Sequence, residues 1–137
     1  MTLERINELY ANYSNAVKRL GEALKIDVKK GSIAVDGTIQ RYEFTFELAW
    51  KLLKCILEYN GIQSVTPRLV VKEAYKAGII TDGDEWIDML EDRNKTVHIY
   101  DEAQALAIYK KIKKQHFRQL EMLRGDVRKT AKSLRES

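Results

Sequence analysis

A chain of 137 residues has room for one domain with its own core, and two separate cores would be unusual at this size. Hydrophobic residues make up 45% and charged residues 32%, which excludes a disordered tract, and no apolar run approaches the roughly 20 residues of a membrane span. The net charge of +4 permits contact with nucleic acid without demanding it.

The charged, amphipathic N-terminus shows no signal peptide, and a cytoplasmic location follows as the default. From Thr2 to about Val28 the apolar positions Ile6, Leu9, Tyr13, Val17, Leu20 and Leu24 recur at three- and four-residue steps. That predicts one long amphipathic helix with Thr2 as N-cap, stopping near Lys29-Lys30-Gly31. After a connection over Gly31–Gly37, a second helix is expected from about Asp36, as N-cap, to Asn60, with Gly61 as the stop. It carries two apolar stripes. Ile39, Tyr42, Phe46, Ala49, Leu53 and Ile56 form one, and Phe44, Leu48, Leu52, Cys55 and Tyr59 the other. A helix apolar on most of its circumference is a central helix, or one that serves both a core and a subunit interface. The single cysteine, Cys55, reads as a small buried hydrophobe.

Thr66-Pro67 is a strong start signal, an N-cap followed by proline at the first helical position. The third helix, about Pro67 to Ala77, should bury Leu69, Val70 and Ala74, with Tyr75 a further candidate, and end at Gly78. A fourth begins after Thr81-Asp82-Gly83-Asp84, carries Trp86, Ile87, Met89 and Leu90 on its apolar side, and continues into Arg93-Asn94-Lys95-Thr96-Val97-His98-Ile99-Tyr100. Asp101 then looks like a new N-cap with Gln104 in capping-box position. The fifth helix carries Leu106, Tyr109, Ile112, Phe117, Leu120 and Leu123 and extends toward Val127 and Leu134. The prediction is an all-α, up-and-down bundle of four or five helices over residues 1–125. Residues 126–137 form a basic extension of the last helix or a tail. Basic residues crowd the whole last helix: Lys110, Lys111, Lys113, Lys114, Arg118, Arg124, Arg128, Lys129, Lys132 and Arg135. They form either a solvated face or a phosphate-attracting one.

The chemistry concentrates in Arg93–Tyr100. Histidine titrates near neutrality and can take or give a proton. Arginine keeps its charge and grips phosphate oxygens in a planar fork. Arg93 and His98 are the right pair of types for acid–base work at a phosphate, with Asn94 in support. On an ideal helix, however, Arg93 and His98 lie about 140° apart around the axis. They would converge across a two-fold axis between two copies, or through a helix break near His98. Blander readings stand beside this one. Arg93 would pair with Asp88 or Glu91-Asp92 on its own helix, His98 would bond Asn94 or a neighbouring carboxylate, and Tyr100 would be an edge aromatic with its hydroxyl in water. His116 has no partner motif and reads as structural or exposed. No metal site is expected, because the two histidines are far apart and no carboxylate cluster has ligand spacing. No cofactor is expected either.

Three stretches carry a family resemblance: Gln40-Arg41-Tyr42-Glu43-Phe44-Thr45-Phe46-Glu47-Leu48-Ala49-Trp50-Lys51, Pro67-Arg68 through Lys72-Glu73-Ala74-Tyr75, and Trp86 to Tyr100 with its Arg, four residues, His, any residue, Tyr pattern. Together they resemble the HEPN superfamily, in its HepT-like branch of nucleotidyltransferase substrate-binding proteins, over roughly Ile6 to Leu123. The resemblance implies a HEPN-like homodimer whose motif helices face each other across a cleft, associated with a minimal nucleotidyltransferase. It implies a toxin-like ribonuclease that needs no metal, with Arg93 and His98 catalytic and silencing by AMP transfer to Tyr100. The alternative it leaves is a non-catalytic subunit that binds a substrate or nucleotide for the transferase. No role passes by resemblance to the basic tail after Gly125.

Overall fold

The computed structural model describes residues 2–30 and 32–136, and the side chains of all of these except 30 and 130–136. Helix α1 spans Leu3–Leu24, α2 Ser32–Tyr59, α3 Pro67–Lys76, α4 Gly83–Lys95, α5 Glu102–Lys111 and α6 Phe117–Glu136. A π-helical turn, Ile112–His116, joins α5 to α6 without interruption, so the described residues form five helical rods. Short 3-10 turns lie at Val28–Lys30 and Thr96–His98. The described residues contain no strand, and the all-helical expectation holds.

The element boundaries follow from local chemistry. Thr2, Thr66, Asp82 and Asp101 each accept a backbone N–H three residues on, at 2.8 to 3.3 Å, and so satisfy one of the free donors at a helix start. Gly61 and Gly78 adopt positive φ, 81° and 77°, just past the ends of α2 and α3. Each closes a Schellman pair: Ile62 and Gly61 donate to Leu57 and Glu58, and Ile79 and Gly78 donate to Ala74 and Tyr75. A side chain at either glycine would be strained by the backbone alone.

Two boundaries differ from the sequence expectation. The first helix ends at Leu24 instead of near Lys29-Lys30-Gly31, because the Asp27 carboxylate accepts the Lys29 N–H at 2.9 Å and starts a separate turn. The second starts at Ser32, ahead of the expected Asp36 cap, so Asp36 and Gly37 lie inside it. Burial of Val35 favours the longer helix and offsets a glycine cost of about 1 kcal/mol.

α2 is the central rod. It packs against α1, α3, α4 and α5, while α1 also meets α6. Its first apolar stripe, Ile39 to Ile56, is buried throughout. The second is split. Leu52 and Cys55 are buried, whereas Phe44 and Tyr59 are exposed. In α3 the buried face is Val70, Val71 and Ala74, and Leu69 points outward at 45% exposure. Val70 and Ala74 are covered as expected, and Val71 is buried where Leu69 was expected. Leu106 is likewise partly open to solvent, while Tyr109 and Ile112 are covered.

Three tyrosines pin the rods together through main-chain carbonyls. Tyr13 donates to Leu120 at 2.6 Å and Tyr10 to Arg124 at 3.1 Å, tying α1 to α6. Tyr42 donates to Met89 at 2.7 Å, tying α2 to α4. Burial pushes the Tyr13 and Tyr42 phenols well above the usual range, so both remain donors. Among the described residues no helix is long and apolar enough to cross a membrane.

Candidate functional site

The fourth helix does not carry the whole motif. It ends at Lys95, and Thr96–His98 tighten into a 3-10 turn before Ile99 turns extended, φ −89° and ψ 114°. The β-branched run Thr96-Val97 is a poor helix former. The Thr96 hydroxyl donates to the Arg93 carbonyl at 2.6 Å and satisfies an acceptor at the helix end. Beyond it, Asp101 caps α5, and the Gln104 side chain reaches back to the N–H of Tyr100 at 2.9 Å, one residue before the expected capping-box partner. The break near His98 is therefore built from both sides.

It divides the motif residues into two groups. Arg93 donates through Nη2 to Glu47 of α2, and its Nη1 lies 3.5 Å from Asn94 Oδ1. The expected pairing with Asp88 or Glu91-Asp92 on its own helix is replaced by this bond between helices. Glu47 faces α4 on the polar strip between the two stripes of α2, so the ion pair is only about one-third exposed. On the far side of the break, His98 Nδ1 lies 3.1 Å from the Tyr100 hydroxyl, and both side chains are exposed. Among the described residues neither Asn94 nor a carboxylate bonds His98. When Nδ1–H donates to the phenol oxygen, Nε2 keeps a free lone pair and can take a proton; the protonated ring can then return it. No hydrogen bond links Arg93 with His98 among the described residues.

Tyr100, 80% exposed, also lines a groove of about 640 Å³ between the start of α2 (Ser32, Val35 and Asp36) and α5 (Glu102, Ala105 and Leu106). That volume is within the range of small-molecule sites.

Behind the motif lies a cluster the sequence did not disclose. His116, fully buried at the π-helical turn, presents Nδ1 to Glu85 at 2.8 Å and Nε2 to Asp92 at 2.6 Å. Lys111 reaches Asp92 at 2.7 Å and Asp88 at 2.9 Å. Tyr42 stacks on the imidazole with ring centres 5.5 Å apart. Of the two sequence readings of His116, the structural one holds. Ligand atoms of Glu85, Asp88 and His116 lie within 4.8 Å of one another, a grouping that the expectation of no ligand spacing overlooked. Lys111 already supplies the positive charge between the carboxylates. The signal that could have located the cluster is the spacing Glu85, Asp88, Asp92 on one helical face.

Burial raises the Asp92 carboxyl, but hydrogen bonds from His116 and Lys111 and their charges outweigh it and hold it below the usual range. A depressed carboxyl contributes stability that is present above its unfolded value of about 3.9 and is lost as pH falls through the folded one. Urea midpoints measured from pH 7 downward should therefore be level until about pH 4 and fall below it. Asp92→Asn should flatten that fall.

A profile described as nucleotidyltransferase substrate binding protein like matches residues 8–129. The chain belongs to this family. It is 32% identical over 83 residues to a Haemophilus influenzae protein named probable ribonuclease HepT, a stretch spanning 57% of each chain. A solved structure from Thermus thermophilus superposes with a TM-score of 0.72 at 29% identity, covering 87% of this chain and 98% of that one. A second, from Haemophilus influenzae, described as the fold of a substrate binding domain of a nucleotidyltransferase, superposes with a TM-score of 0.66 at 23% identity and covers 93% and 99%. The latter shares the fold.

Proposed function

We propose that this chain is a ribonuclease of the nucleotidyltransferase substrate-binding family, a homodimer working beside a minimal nucleotidyltransferase in a toxin–antitoxin pair. Arg93 of one copy would complete a site with His98 of the other. The observation that carries this reading is the built break at Thr96–His98, which leaves His98 exposed with Nδ1 held by Tyr100 and no bond to Nε2 among the described residues. In the reaction the 2′-hydroxyl gives its proton to His98 and its oxygen attacks phosphorus. The 5′-oxygen departs with a proton returned by the imidazolium, leaving a 2′,3′-cyclic phosphate. Arg93 neutralises the charge gathering on the phosphate oxygens, an effect that is usually the largest single contribution to such catalysis. Asn94, 3.5 Å from the guanidinium, supports its placement.

Tyr100 supplies the regulatory half. Transfer of AMP to its oxygen forms an O–P bond, releases pyrophosphate from ATP, and replaces the hydroxyl beside His98 with a phosphodiester. The neighbouring groove of about 640 Å³ has room for the adenosine. That same groove favours the second reading, a subunit that holds a nucleotide for the transferase without cutting RNA.

The test is RNA cleavage in excess EDTA by protein whose mass shows no AMP. Cleavage that survives chelation and falls at least about a hundredfold in both Arg93→Ala and His98→Ala is the expected outcome. Equal activity in all three proteins would identify a contaminant. Inert wild type would leave the nucleotide-binding subunit.

A further inference from the structure

The charge of this chain is segregated. Residues 110–129 hold eight basic and two acidic side chains, whereas residues 1–109 hold fourteen basic and seventeen acidic ones. A chain of net charge +4 thus consists of an acidic body and one strongly basic segment, the end of α5, the π-helical turn and α6 as far as Lys129. Such asymmetry within one chain points to a polyanionic partner.

Pairing sharpens the contrast. On α2, α3 and α4 carboxylates answer Lys54, Arg68, Lys76 and Arg93. Of the basic residues between Lys110 and Lys129, Lys111 alone lies within 4.0 Å of a carboxylate among the described residues. Lys111 points inward to the Asp92 cluster. Lys110, Lys113, Lys114 and Arg118 point outward and are exposed. The π-helical turn creates this division. It turns His116 and Ile112 into the core and leaves the lysines between them on the outside.

The basic face also has relief. A groove of about 500 Å³ runs between α1 and α6, with Lys113 and Arg124 on one wall and Lys18 and Lys25 on the other. Its floor includes Gly21, where a Cβ would stand 3.0 Å from the Phe117 ring. This close approach lets cations of both helices border one channel. Glu22 and Glu121 also line it and are outnumbered.

We infer that the α5–α6 face and its groove against α1 form a track for the sugar–phosphate backbone of single-stranded RNA. Exposed cations without carboxylate partners gain most from phosphate, because they give up no ion pair to make the contact and release counterions from the strand. Contact with backbone alone sets no sequence, so the track supplies affinity and orientation while selection is left to other groups. The naming of RNA rests on the ribonuclease reading. Cleavage and binding can nonetheless fail separately.

The experiment is titration of the full chain with a 20-nucleotide 2′-O-methyl RNA, which keeps its phosphates but lacks the nucleophile. Lys110, Lys113, Lys114 and Arg118 are replaced together by glutamine. At about 0.1 M salt the affinity should drop on the order of a hundredfold, and the slope of log K against log salt should shrink by about 3, at roughly 0.7 per lost phosphate contact. The control replaces Lys54, Arg68, Lys72 and Lys76 by glutamine and should leave the slope unchanged. Equal effects of the two sets, or no binding by wild type at low salt, would overturn the track. Unchanged RNA affinity with loss of binding to the partner nucleotidyltransferase would overturn it too, and assign the face to an acidic protein surface.

Discussion

Arg93→Ala and His98→Ala proteins, each inactive alone, should regain ribonuclease activity when they are co-expressed. The reason lies in how the motif is divided. Arg93 sits in the last turn of α4 with its guanidinium drawn to Glu47 of α2. His98 lies past a built break, and its partner is Tyr100. A reaction that needs a proton carrier and a cation on the same phosphate is poorly served by two groups aimed at different neighbours. Two-fold pairing of copies brings unlike residues of one surface together by symmetry. In a mixed dimer the intact His98 of one copy meets the intact Arg93 of the other, and the second site holds both alanines. With random pairing half of the dimers are mixed and each has one working site, so about a quarter of wild-type activity should return. The measurement is initial cleavage rate in EDTA, with native mass spectrometry to count mixed dimers. Mixed dimers that remain as inactive as the single variants would place both groups in one copy and sink the composite site.

That division also marks how far the residues could be read. Caps and stops were legible because their chemistry is local: Thr66-Pro67, Asp82, Asp101, Gly61 and Gly78 act within one turn of themselves. The start of α2 was missed because burial of Val35 overrides the better cap at Asp36. At the site, residue types could be named, but their partners could not. Glu47 lies 46 residues from Arg93, and Asp92 lies 24 from His116. Such pairings exist only once α2 and the last helix have packed beside α4. The π-helical turn is equally silent in a hydrophobic pattern, since one extra residue in a turn shifts the phase without breaking the run. His116 therefore looked unpartnered in sequence and is among the most constrained side chains in the fold.

Its removal should accordingly act on stability before chemistry. His116→Ala strips a buried imidazole from between Glu85 and Asp92 and leaves the Asp92 carboxylate, 1% exposed, with Lys111 as its remaining side-chain partner. Losing one hydrogen-bond partner of a buried charged group costs about 1–3 kcal/mol, since Lys111 still meets the carboxylate and only part of its bonding is lost. The variant should lose that much in urea unfolding with its m-value unchanged, the sign of a stability effect and not of a changed unfolded state. Asp92→Asn on the same background tests the cause. Neutralising the carboxylate should return part of the loss, seen as coupling between the neighbours. If the double variant is as unstable as the two single losses added together, the cost arises from the cavity and from lost stacking on Tyr42, and the charge clamp contributes little. If coupling appears, the clamp fixes the last turns of α4 against the basic helix. Arg93 then owes its position to a buried charge pair one residue away as well as to Glu47.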